Sequence, residues 1–369
     1  MRSVRSSRFL ACILILLFNV TLQLFLSLVF GFIAFPTPYG SNHIAEKECN
    51  CPQSKTAVEE WKVRGESEPV TCGMPPSQVV PAATHESDKR TLLDDTHYLL
   101  VILVLSSVQG RERRDAIRET WMKGYSDSEH SVLVKFSIGT LGLSPSDMDS
   151  LTSEQHTFND LLLLPNLQES YSNLTRKVLY SFVNLERHFD FSYLMKCDDD
   201  TFIVLETILR ELSERTSKKS FYWGFFDGRA HIKKEGKWSE KGWFLCDRYL
   251  PYALGGGYVL SHDLVKRVSS AADGLQLYNS EDVSMGVWLS PYKAERRHDV
   301  RFDTEFVSRG CRNVYIVSHK QSIQDMRKKH RSLKAVSHLC EKEYQTRLSY
   351  EYNWNIEPTK CCERKRGVP

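Results

Sequence analysis

Three consecutive carboxylates, Asp198, Asp199 and Asp200, close the short apolar run in "YLMKCDDDTF". Like charges this close raise one another's pKa, so solvent, a cap or a cation must compensate. An acidic surface loop answers that need, and so does a helix N-cap, a position Asp favours. A hard divalent cation is the third answer: Mg²⁺ and Mn²⁺ take oxygen ligands and often bridge to substrate phosphates. Other stretches could share such chemistry. In "NSEDVSMGVWL", Glu281 and Asp282 precede an apolar stretch with helical spacing, as caps or as a general base. His319 ends a strand in "YIVSHKQS", as the acidic triplet ends one, although a lone His is more often structural than a metal ligand. Arg114 and Arg118 in "RRDAIRETW" are natural phosphate partners, or else one salt-bridged helix face. "YLPYALGGGYVLS" places three glycines where backbone can approach a ligand or simply bulge. No Gly-Lys-Ser/Thr follows them, so this is not a phosphate-binding P-loop.

The elements that must position these residues are legible from periodicity. "HYLLVILVLSS", "SVLVKFSIGT" and "FSYLMKC" read as strands buried on both faces. "RERRDAIRETWMKGY", "LQESYSNLTRKVLYSFVNLERHF" and "VLETILRELSERTSK" read as helices, the second with Val178, Phe182, Leu185 and Phe189 on one face. Strands alternating with helices imply a mainly parallel α/β sheet. In such sheets ligands bind outside the carboxyl ends of strands, which is where the acidic triplet falls.

Length and composition set the frame. With 369 residues and a formal net charge of +3, the chain can build a sizeable core, and nothing argues for nucleic acid. The basic "CCERKRGVP" reads as a solvated tail. Arg2, Arg5 and Arg8 precede an uncharged run from Phe9 to Phe35, longer than the roughly 20 residues a bilayer needs. It reads as an uncleaved signal anchor: tail 1–8 cytosolic, span 9–35, the remainder lumenal or extracellular. Residues 36–95 have the composition of a flexible stem, and the ordered domain is expected over 96–369. Of 10 cysteines, Cys12 lies in the span and nine beyond it, where an oxidising compartment favours disulfides. Neither "CNC" nor "CC" has the usual zinc spacing. Cys197, beside the acids, is expected to stay a free thiol. "NLT" at Asn173 is a lumenal N-glycosylation sequon, whereas "NVT" at Asn19 lies in the span and is expected to stay unmodified.

"AIRETW", "MKCDDDTFIV", "YALGGGYVLS" and "SEDVSMGVWL", in this order behind an anchor and stem, resemble the β1,3-galactosyltransferase family of Golgi glycosyltransferases, over roughly residues 96–369. The resemblance implies a GT-A fold, a UDP-galactose donor, a Mn²⁺ cofactor, inversion at the sugar, and a single-pass type II Golgi membrane protein. It makes Asp198, Asp199 and Asp200 the D-x-D motif, with Asp200 and Asp198 on the metal and Asp198 and Asp199 near the nucleotide. It makes His319 the histidine that completes the metal site and Asp282 the base. Arg118, or Arg114, would help hold the nucleotide, and Trp223, Tyr258 and Trp288 are candidates for stacking on sugars, core packing being the stronger reading for Trp288. "YWGFFDGRA", "HDVRFDTEFVSRGC" and "SHKQS" narrow the implied acceptor to galactosyl-β1,4-xylose on proteoglycan core proteins, with other linker-region glycosyltransferases as associates. A β1,3-N-acetylglucosaminyl- or N-acetylgalactosaminyl-transferase keeps the same motifs, since donor choice depends on pocket shape. A non-catalytic lumenal lectin that kept the fold is the reading from another class, and the intact triplet, Asp282 and His319 argue against it.

Overall fold

The computed structural model describes residues 96–125 and 131–369. The stretches expected to be tail (1–8), anchor (9–35) and stem (36–95), with Asn19, Cys12, Cys49, Cys51 and Cys72, lie outside the described residues. Among the described residues no helix is long and apolar enough to cross a membrane.

The chain runs β1 (His97–Leu105), α1 (Arg111–Glu119), β2 (Val132–Gly139), α2 (Pro145–Phe158), β3 (Leu161–Leu164), α3 (Leu174–His188) and β4 (Asp190–Asp198). It continues through β5 (Phe202–Ile203), α4 (Leu205–Ser213), β6 (Phe221–Asp227), β7 (Tyr252–Ser261), α5 (His262–Ser270), α6 (Glu281–Leu289) and β8 (Glu295–His298). It ends with β9 (Phe302–Asp303), β10 (Gly310–Cys311), β11 (Val317–Ser318), α7 (Ile323–Val336) and β12 (Tyr344–Gln345).

Seven strands form one sheet in the order β3-β2-β1-β4-β7-β6-β8. The pairs β3–β2, β2–β1, β1–β4 and β6–β8 are parallel, whereas β7 runs antiparallel to β4 and β6. The expectation of a mainly parallel α/β sheet therefore holds: six of its seven strands run one way and β7 alone runs the other. Leu100 to Leu105 of β1 are buried without alternation, as an interior strand covered on both faces requires. Val178, Phe182 and Leu185 give α3 its buried face, and α3 packs on α5. Sequence periodicity missed α2 and β3: along α2 only Leu151 and Glu154 are buried, so it carries no apolar stripe.

Two features bring distant segments to the carboxyl end of β4. First, β11 pairs antiparallel with β5 so that Ser318 faces Phe202, which sets His319 beside the Asp198–Thr201 turn. The Trp121 indole, at the end of α1, braces that turn by donating to the Thr201 carbonyl at 3.0 Å. Second, the segment 228–251 between β6 and β7 folds over the end of α6 on a small core of Tyr249, Tyr252 and Val283, backed by Ile232 and Trp243. Disulfides join Cys311 to Cys340 and Cys361 to Cys362, and Cys197 and Cys246 are free.

Candidate active site

A cleft of about 320 Å³ opens at the carboxyl end of β4, within the range of small-molecule sites. Its walls include Asp198, His319, Lys320, Gly255, Gly256, Glu281 and Asp282. The structure thus gathers in one place four stretches that lie far apart in the chain.

On one side, Asp198, Asp200 and His319 converge, each offering a ligand atom within 4.8 Å of the others. His319 Nε2 lies 2.9 Å from Asp200 Oδ1 and 3.2 Å from Asp198 Oδ2. Yet Asp200 Oδ1 and both ring nitrogens of His319 are buried without an aligned hydrogen-bond partner. Buried polar atoms are normally satisfied. Two carboxylates and an imidazole pointing at a common centre suit a divalent cation, so the residues fit a metal. Burial pulls the His319 imidazole down, but the two carboxylates outweigh it and hold it up at about 8. Burial opposes ionisation of Asp200, but His319 and Lys320 hold its carboxyl below the ordinary range.

Asp199 turns the other way. It accepts from the Ser106 hydroxyl at 2.9 Å and lies 3.9 Å from Arg113 Nε. Burial raises its pKa against both partners. It is absent from the converging trio, so the three acids are not equivalent.

On the opposite side, Asp282 stands in the first turn of α6. It does not cap the helix: Oδ2 accepts from Gly255 N–H and Oδ1 from its neighbour Val283 N–H, both at 2.9 Å. Burial raises its pKa, opposed by Lys196 and these two amides. A half-buried carboxylate held by its amides and made more basic by its surroundings has the properties of a general base. Glu281 is buried deeper, accepting from Lys196 at 2.5 Å and from the Tyr258 hydroxyl at 3.1 Å. Burial pushes it up to about 7.

The glycines serve these side chains. A Cβ on Gly255 would stand 2.6 Å from Glu281 Oε1 and 3.2 Å from Asp282 Oδ2, and one on Gly256 would stand 2.5 Å from the His319 ring. Close approach, and no phosphate cradle, accounts for the motif.

Several expected residues lie elsewhere. Arg118 does not line the cleft: its guanidinium binds Asp160 through two bonds of 2.8 Å and Glu154 and Asp115 at 2.6 Å. Arg114 is fully buried and bidentate to Glu154. Both therefore anchor α1 to α2, and it is Arg113 that faces the acidic turn. Trp223, Tyr258 and Trp288 are core residues, at 0%, 0% and 5% exposure. The cleft's aromatics are Tyr171, Trp238, Tyr249, Tyr252 and Phe306, mostly from loops whose sequences have no periodicity to reveal them. Asn173 lies at the head of α3 between the cleft residues Tyr171 and Leu174, its amide donating to the Gln168 carbonyl at 2.9 Å. Lys196 was missed, although a lone charge inside an apolar strand run is a readable anomaly.

The galactosyltransferase family model matches residues 112–300. The chain is 47% identical over 273 residues to mouse (Mus musculus) beta-1,3-galactosyltransferase 6, covering 73% of this chain and 84% of that protein. It is 31% identical over 241 residues to hydroxyproline O-galactosyltransferase GALT2 of Arabidopsis thaliana, covering 63% of this chain and 34% of that protein. It is 33% identical over 150 residues to UDP-GalNAc:beta-1,3-N-acetylgalactosaminyltransferase 2 of Xenopus tropicalis, covering 40% and 30% respectively. Among solved structures, the galactosyltransferase LgtC with donor and acceptor sugar analogues aligns at 12% identity with a TM-score of 0.31, over 59% of this chain and 86% of that one, a likeness too slight to argue from.

Proposed function

Because this chain belongs to the β1,3-galactosyltransferase family, we propose that it transfers galactose from UDP-galactose in β1,3 linkage, with inversion, to the galactose of galactosyl-β1,4-xylose on proteoglycan core proteins. The observation that carries this is the pairing, across one cleft, of a cation-type cluster (Asp198, Asp200, His319) with an amide-held carboxylate, Asp282. The likeness to the mouse protein supports β1,3-galactosyl transfer; the acceptor is read from the sequence resemblance alone.

Asp198, Asp200 and His319 would hold Mn²⁺, which when bound neutralises negative charge on a departing diphosphate. Lys320, 3.6 Å from Asp200, and Arg113, beside Asp199, add positive charge on that side. Asp282 accepts the proton from the acceptor 3-hydroxyl as that oxygen attacks the anomeric carbon. Positioned proton transfer of this kind gains typically about 10²–10⁴-fold. Attack on the face opposite the leaving group turns an α-linked donor into a β-linked product, the logic shared by inverting glycosidases. Tyr171, Trp238 and Phe306 offer rings to the apolar faces of the acceptor sugars. Residues 9–35 would anchor the chain in the Golgi membrane with this cleft in the lumen and a GT-A arrangement behind it.

The test incubates the detergent-purified full-length protein with Mn²⁺, a panel of UDP-sugars and a galactosyl-β1,4-xyloside, followed by mass. Extension by one hexose from UDP-galactose alone, abolished by EDTA, is the expected result. Transfer of an N-acetylhexosamine would overturn the donor assignment. No transfer to any acceptor by folded, metal-loaded protein would favour a lectin-like role.

A further inference from the structure

Lys196 sits two residues before Asp198 on β4, and its side chain is 1% exposed. An ammonium has three donors and no acceptor, and here all three are used: Asp198 Oδ1 at 2.9 Å, Glu281 Oε1 at 2.5 Å and the Gly255 carbonyl at 2.5 Å. The three acceptors belong to different parts of the cleft. Asp198 presents its other oxygen, Oδ2, to the His319 side. Glu281 precedes Asp282 in the first turn of α6. Gly255 donates its own N–H to Asp282. One buried cation therefore touches a cation-binding carboxylate, the helix that carries the base, and the residue that grips the base.

We infer that Lys196 is a positioning residue that ties Asp198 to the Asp282 segment and so fixes the separation between the donor and acceptor halves of the cleft. This rests on the reading of Asp198, Asp200 and His319 as a metal site and of Asp282 as the base. Stability alone does not call for a lysine here. Replacing a buried ion pair by apolar groups of similar volume is often neutral or stabilising, and the strand neighbours Met195 and Cys197 are fully buried apolar residues. Geometry does call for it. The cluster locates the donor, Asp282 locates the acceptor hydroxyl, and a misplacement of about 1 Å can cost about 100-fold in rate. Holding Oδ1 also leaves Oδ2 as the ligand atom of Asp198, and loss of such an outer partner typically weakens metal binding or activity by about 10–100-fold.

Removing Lys196 alone would leave the buried Glu281 carboxylate without its cation, so the informative variant is Lys196→Met combined with Glu281→Gln, compared with Glu281→Gln and wild type. The probe is Mn²⁺ alone, titrated into metal-free full-length protein and followed by electron paramagnetic resonance, with thermal melting run alongside. Expected is Mn²⁺ binding about 10–100-fold weaker in the double variant than in Glu281→Gln, without a matching loss of melting temperature. Transfer by the double variant should lose kcat about 100-fold while acceptor KM holds. Equal Mn²⁺ affinity and equal kcat in a folded double variant would overturn the inference and leave the proposed function standing. No Mn²⁺ binding by wild type would overturn the metal-site reading and this inference with it. If the double variant does not fold, Lys196→Gln, which keeps a shorter amide donor, takes its place with the same two deciding outcomes.

Discussion

Glu281 and Asp282 are adjacent carboxylates in one helical turn, and their surroundings give them different work. Glu281 is 4% exposed and committed to Lys196 and Tyr258. Asp282 keeps access to the cleft while two backbone amides fix its direction. Asp282→Asn should therefore retain the fold and UDP-galactose binding and lower kcat about 10²–10⁴-fold; steady-state kinetics with a donor-binding titration checks this. At this scale the sequence was readable where chemistry restricts residue type: the acidic triplet, His319 and Asp282 could be picked out because few residues bind cations or accept protons. It was not readable for Arg118, whose partner Glu154 sits in α2, a helix with no apolar stripe, and whose partner Asp160 precedes the four-residue β3. Nor was it readable for the aromatics, since Trp223 and Tyr258 differ from Trp238 and Phe306 only in which side of the chain tertiary packing covers.

Elements place these groups by pairing and by close approach. The register Lys196↔Tyr258 and Cys197↔Gly257 sets β7's glycines against β4. Gly256→Ala puts a methyl group 2.5 Å from the His319 ring, so the ring must move. The expected outcome is a folded protein whose Mn²⁺ affinity falls at least about 10-fold, read by the same metal titration. The strands β1, β2 and β4 were legible because a strand covered on both faces is a continuous apolar run. The two-residue strands β5 and β11, which deliver His319, are too short for any period to register. A second element effect concerns pH. His298 at the end of β8 accepts from Phe226 N–H at 3.0 Å and donates to the Tyr350 carbonyl at 2.9 Å. Burial, with Arg309 nearby, lowers its pKa from 6.5 to about 4. Below pH 6.5 the unfolded chain takes up a proton that the folded protein refuses until about pH 4. The contribution present above 6.5 is thus lost as pH falls through this window, by about 3 kcal/mol in all. Denaturant unfolding from pH 7 to 4 should show that loss in wild type relative to His298→Gln.

Across the whole molecule the two halves of the sheet divide the labour. The parallel half, β3 to β4, ends in the acidic turn, while the reversed strand β7 and its neighbour β6 bring the glycines and the 228–251 segment. The cleft lies where strand direction reverses, between β4 and β7. That reversal could not be read from the sequence, because β7 is as apolar as a parallel strand and its partner is chosen by packing. Cys197 occupies this seam. It is 0% exposed, paired in register with Val104 on one side and Gly257 on the other, and burial lifts its thiol well above the ordinary range. Cys246 is exposed and free. Among the described residues there is therefore a fast thiol and a slow one. An alkylating reagent should mark Cys246 on encounter but reach Cys197 only when β4 parts from its neighbours. Pulse alkylation read by mass spectrometry turns Cys197 into an internal clock for the opening of the strand that bears the acids. If the cluster binds Mn²⁺ only in the closed protein, that clock should slow by about 1 + [Mn²⁺]/Kd; equal labelling rates for the two thiols in saturating metal would mean the seam is never shut.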